Sequence, residues 1–97
     1  MGKKTCELCG YESEPGHLVT HHIVPEETTR QAGMPDSATV VLCGNCYTEV
    51  HDWYTKKVFS MVYDPETKRF RPRSPAEMVK EYEAAYRVFA EYKRGQR

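Results

Sequence analysis

Cys6-Glu7-Leu8-Cys9 and Cys43-Gly44-Asn45-Cys46 bracket the stretch Thr20-His21-His22-Ile23-Val24-Pro25, and His51 follows shortly after the second pair. A two-residue gap lets both thiolates of a pair turn toward one ion, and two such pairs complete a tetrahedron. Cys6, Cys9, Cys43 and Cys46 are therefore read as the ligands of one zinc ion, with 33 residues between the pairs. Four protein ligands close the coordination shell, so this zinc is structural and has no position for a substrate. A redox dithiol and four unrelated buried cysteines are the competing readings.

The chain has 97 residues, short enough that a structural metal is an expected supplement to its core. Nothing reaches membrane-spanning length, and Met1-Gly2-Lys3-Lys4 leads into no apolar signal region. A soluble, cytoplasmic protein is expected, and in that reducing setting paired cysteines favour metal over disulfides. The formal net charge is zero but unevenly spread. Residues 1–52 hold 3 basic and 8 acidic side chains, and residues 53–73 hold 6 basic and 2 acidic. A neutral whole argues against strong nonspecific nucleic-acid binding, although the basic middle segment can still form a local footprint.

One domain is expected over 1–97, with a core at 6–51 and the end of the core helix, a hairpin and a further helix over 52–97. His17 to Val24 reads as a strand ending at Pro25, with a helical turn at Glu26–Gln31. Ala38 to Leu42 reads as a second strand paired with the first. Val50, Trp53, Tyr54 and Val58 recur at helical spacing, placing a helix at about 45–59. Met61-Val62-Tyr63-Asp64 and Lys68-Arg69-Phe70-Arg71 flank a turn and suggest a hairpin. Ser74-Pro75-Ala76-Glu77 reads as a capping box opening a helix that runs to about Lys93 and stops near Gly95. Its stripe of Met78, Tyr82, Ala85, Phe89 and Tyr92 is expected to pack on the core, a dimer seam being the second reading.

A strand with His21-His22, a loop, a second strand, a cysteine knuckle and a helix with His51 follow one another in a recognisable order. This resembles the HNH endonuclease family, in particular its small stand-alone bacterial and phage members with a four-cysteine zinc site. The carriers are Cys6-x-x-Cys9, His21-His22-Ile23-Val24-Pro25, Val41-Leu42-Cys43-x-x-Cys46 and His51, spanning nearly half the chain. The resemblance implies an α+β fold: a ββα-metal (His-Me finger) core stapled by the cysteine zinc site, with a C-terminal β-hairpin and helix. It implies hydrolysis of DNA, or of RNA, to a 5′-phosphate and a 3′-hydroxyl. His22 matches the general base, and His21 and His51 match ligands of a catalytic divalent metal such as Mg²⁺, Mn²⁺ or Ni²⁺. The chain has Tyr47 where the family usually has histidine or asparagine, and Ala38 where it has its middle asparagine. The competing reading is a non-catalytic zinc module that binds nucleic acid or a protein partner.

Lys56, Lys57, Arg69, Arg71 and Arg73 are candidate phosphate contacts, with a solvated face as the alternative. Trp53, Tyr54 and Phe59 are expected to be core more than base-stacking residues. His17 is expected to face solvent. Glu26 and Glu27 are read most simply as acidic residues in the first turn of a helix, with a place near the metal as the other reading.

Overall fold

The computed structural model describes residues 4–13 and 15–95. Strands β1 (Lys4–Thr5) and β2 (Glu12–Ser13) form a minimal antiparallel pair around the first cysteine step. A 3₁₀ turn, Pro15–His17, leads into β3 (Leu18–His22). There follow α1 (Glu26–Gln31), β4 (Thr39–Cys43), α2 (Gly44–Lys57), β5 (Met61–Asp64), β6 (Arg69–Pro72) and α3 (Pro75–Arg94). The result is a small α+β fold of three two-stranded sheets and three helices among the described residues.

β3 and β4 pair antiparallel, with His21 opposite Val40 and His22 opposite Thr39. β4 runs straight into α2, and Cys43 is both the last strand residue and the helix cap, its Sγ accepting from the Cys46 N–H at 3.5 Å. The first knuckle is laid against this strand. The Glu7 N–H donates to the Val41 carbonyl at 3.0 Å, and the Val41 N–H donates to the Glu7 carboxylate at 2.6 Å. Gly10 takes a φ of 80°, in the left-handed region that a side chain disfavours, as the knuckle turns back.

The core gathers Leu8, Leu42, Val50, Tyr54, Phe89 and Ala90 around three of the four cysteines. Both α1 and α2 pack on α3. Ala85 and Phe89 of the predicted stripe are buried in the core and Tyr82 packs against it, but the buried face is broader than the stripe and leaves Tyr92 outside. Val79, Ala85, Tyr86, Phe89 and Ala90 are buried, while Tyr92 is 55% exposed. A helix contacting two neighbours buries a broader arc than a two-position seam, which rotates Val79, Tyr86 and Ala90 inward. The capping box is present in both directions, Ser74 accepting from Glu77 and Glu77 accepting from Ser74. Gly95 keeps a right-handed φ of −67°, so the helix ends without the left-handed cap that glycine permits.

The β5–β6 ribbon pairs Met61 with Pro72 and Tyr63 with Phe70. Its second strand starts one residue later than predicted because Lys68 takes a φ of 58° and closes the turn. Alternation places Tyr63 and Phe70 on one face, their rings 5.5 Å apart, and both are more than half exposed. The other face carries Arg71, which makes two hydrogen bonds to the Glu77 carboxylate, at 2.9 and 3.0 Å. Trp53 lies half-buried against Phe89 and donates its indole N–H to the Ala85 carbonyl at 3.0 Å. Tyr54 is buried and Phe59 is 60% exposed. No helix among the described residues is long and apolar enough to cross a membrane.

Candidate metal centre and histidine cluster

Cys6, Cys9, Cys43 and Cys46 place their sulfur atoms within 4.8 Å of one another. All four are free thiols, and Cys9 Sγ lies 3.7 Å from Cys43 Sγ. Together they can hold one metal ion. The electrostatics favour a cation. Burial would raise the Cys6 thiol, but backbone N–H groups of Cys9, Cys43 and Leu8 outweigh it and bring the pKa down to about 7. Burial raises Cys46 strongly, and its sulfur neighbours add to the rise. Burial likewise raises Cys9. Four sulfur atoms gathered this closely would repel one another as thiolates, and a divalent ion would relieve that repulsion.

Beyond the knuckle, α2 presents two faces. Asn45 and Glu49 line a cavity of about 520 Å³ beside the cysteines, shared with His17 and Lys93, so Asn45 stands on the cysteine side. Tyr47 and His51, one turn apart, meet β3 instead. The His21 ring centroid lies 5.6 Å from that of Tyr47 and 5.2 Å from that of His51, and Tyr47 and His51 are 4.4 Å apart. His21 is 7% exposed, and its buried Nε2 has no hydrogen-bond partner among the described residues. Burial, then the neighbouring imidazoles of His51 and His22, push the His21 pKa down. A neutral imidazole with an unused, buried ring nitrogen fits a metal ligand.

His22, the adjacent residue, sits at the strand end, and its Nδ1 lies 3.2 Å from Glu26 Oε1 at the start of α1. The corner between them is pinned from several sides. The Ile23 N–H donates to Ala38 O at 3.1 Å, the Val24 N–H donates to Ser37 Oγ at 2.9 Å, and the Tyr54 hydroxyl donates to Ile23 O at 2.7 Å. Neither the Ser37 nor the Tyr54 bond has a signal in the local sequence. Both bonds form between segments far apart in the chain.

The basic candidates are dispersed. Lys56 pairs with Asp52 at 2.9 Å, and Lys57 lies over the Trp53 ring. Arg69 is exposed opposite Asp64. Arg71 is engaged by Glu77, and Arg73 by Glu81 at 3.2 Å and by the Phe59 carbonyl at 2.8 Å. Arg71 and Arg73 therefore fasten the ribbon to α3. His17 is exposed.

No protein-family model matches the chain, and neither a search of curated proteins nor one of solved structures finds a match.

Proposed function

We propose that this protein is a metal-dependent endonuclease of the HNH kind, built on a ββα-metal core whose four cysteines bind structural zinc. DNA is the proposed substrate. The observation that carries this reading is the convergence of His21, Tyr47 and His51 between β3 and α2, with the orphaned Nε2 of His21 buried there. His21 and His51 would hold a second metal. A divalent ion there supplies charge stabilisation to a scissile phosphate.

His22 acts as the general base. Its imidazole takes a proton from water, whose oxygen forms a bond to phosphorus as the bond to the 3′-oxygen breaks. The leaving oxygen takes a proton from solvent, giving a 5′-phosphate and a 3′-hydroxyl. Ser37, bonded to both the N–H and the carbonyl of Val24, supplies the loop anchoring that the family takes from its middle asparagine. The test is incubation of zinc-loaded protein with supercoiled plasmid and Mg²⁺, Mn²⁺ or Ni²⁺, followed by analysis of the ends. Nicking that needs the added ion and leaves 5′-phosphates supports the reading. Intact plasmid with every ion counts against it.

A second reading is a non-catalytic zinc module that binds nucleic acid, favoured by the exposed Tyr63 and Phe70 rings on the ribbon. Under it, Phe70→Ala weakens binding to single strands and His22→Ala changes nothing.

A further inference from the structure

We propose that Glu26 is a positioning residue that fixes the tautomer of His22. The carboxylate accepts the proton on Nδ1 and leaves Nε2 as the nitrogen with the free electron pair. The role of that pair in catalysis rests on the nuclease reading; the tautomer itself does not.

The geometry is local. His22 and Glu26 stand four residues apart across a strand-to-helix corner, with Nδ1 and Oε1 at 3.2 Å. His22 is held in register opposite Thr39, and Ile23 and Val24 are each bound through their backbone to the loop before β4. Pro25 sets the entry to α1 with a φ of −53°. The N–H groups of Thr28 and Thr29 close on the Pro25 carbonyl, and buried Thr29 returns its hydroxyl to Glu26 O at 2.9 Å. The backbone at 22–26 is thus placed by bonds that do not involve the Glu26 carboxylate. That carboxylate is free to select the ring nitrogen it meets.

A neutral imidazole carries one proton, and the hydrogen bond made by one nitrogen decides which one holds it. Free histidine in water favours the proton on Nε2. Unassisted, His22 would therefore mostly carry the proton on the nitrogen turned away from Glu26, where a base needs a lone pair. An acceptor at Nδ1 reverses that preference and steadies the ring's orientation. An exposed ion pair with no role is the competing account, since such pairs contribute little to stability.

The test separates the two. Long-range ¹H–¹⁵N correlation spectra of histidine-labelled, zinc-loaded full chain report the tautomer of neutral His22 directly. Wild type is expected to show protonated Nδ1, Glu26→Gln to keep it through the amide oxygen, and Glu26→Ala to shift the proton toward Nε2. Wild type with protonated Nε2, or no change in Glu26→Ala, overturns the proposal. Where wild type cleaves plasmid, Glu26→Ala is expected to lower kcat about tenfold or more with KM little changed, and Glu26→Gln to recover part of it. Unaltered turnover in Glu26→Ala also overturns it. Absence of cleavage by wild type removes the nuclease reading alone, and the spectra still decide the role of Glu26.

Discussion

Tyr47 packs against His51 with ring centroids 4.4 Å apart, one helical turn earlier on the face of α2 that meets His21. A phenol is a weaker ligand for a divalent ion than an imidazole, so the site proposed here relies on two histidines. Tyr47→His adds a third imidazole to the cluster of His21 and His51. Ni²⁺ or Co²⁺ affinity, measured by calorimetry with the cysteine site already filled by zinc, is expected to rise about tenfold or more. Unchanged affinity would show that this face of α2 does not contribute to a metal site.

The cysteine cluster predicts a metal-dependent fold. Cys6, Cys43 and Cys46 lie inside the core with Leu8, Leu42 and Val50. Binding energy at such a site is folding energy. A strong chelator, or Cys46→Ser, is expected to reduce far-ultraviolet dichroism and lower the melting temperature sharply. A spectrum and melting curve unchanged by chelator would exclude a structural metal.

Tyr54 links α2 to the corner next to His22 through its 2.7 Å bond to Ile23 O. Burial, then nearby Tyr86 and Tyr82, raise its pKa, so it is a neutral donor throughout the working range. Tyr54→Phe keeps the ring and removes the donor. A stability loss of about 1 kcal/mol is expected in urea titration, and a larger fractional loss of cleavage as the His22 corner loosens. Equal losses in both would confine Tyr54 to a packing role.

The ribbon clamp gives a pH signature. Glu77 is held down to about 2, first by its hydrogen bond from Arg71 and then by the Ser74 N–H. A carboxyl whose folded pKa lies below its unfolded value, 4.5, contributes stability above 4.5 that is lost as the pH falls toward about 2. Glu77→Gln is therefore expected to lower the melting temperature modestly at pH 7, the pair being solvent-exposed. The difference from wild type should shrink below pH 4.5 and close near pH 2. A difference independent of pH would assign the effect to the cap geometry alone.

The elements were legible where their signals are local. Cys-x-x-Cys spacing, the Pro25 stop, the Ser74–Glu77 box and the helical recurrence of Val50, Trp53 and Tyr54 each act over a few residues, and the observed bounds agree to within two. The meeting of the four cysteines was legible for the same reason, since paired knuckles need only be brought together once. What escaped depends on tertiary packing. Nothing in the spacing of Met78, Tyr82 and Tyr92 reveals that α3 must serve two neighbours, which sends Tyr92 outward over Trp53. Arg71 and Arg73 read as a basic run because Glu77 and Glu81 answer them from the next helix. His22 and Glu26 are close in sequence, yet their contact depends on the corner angle that Ser37 and Tyr54 impose.

The proposed function turns on His22 as the base of a metal-dependent nuclease. The most direct measurement compares wild type with His22→Ala, both shown to be folded and zinc-bound, for plasmid binding and cleavage with added Mg²⁺, Mn²⁺ or Ni²⁺. Wild type is expected to cleave, and His22→Ala to lose at least a hundredfold of that activity while still binding DNA. Cleavage by His22→Ala at the wild-type rate, or none by wild type with any ion, would rule out His22 as that base.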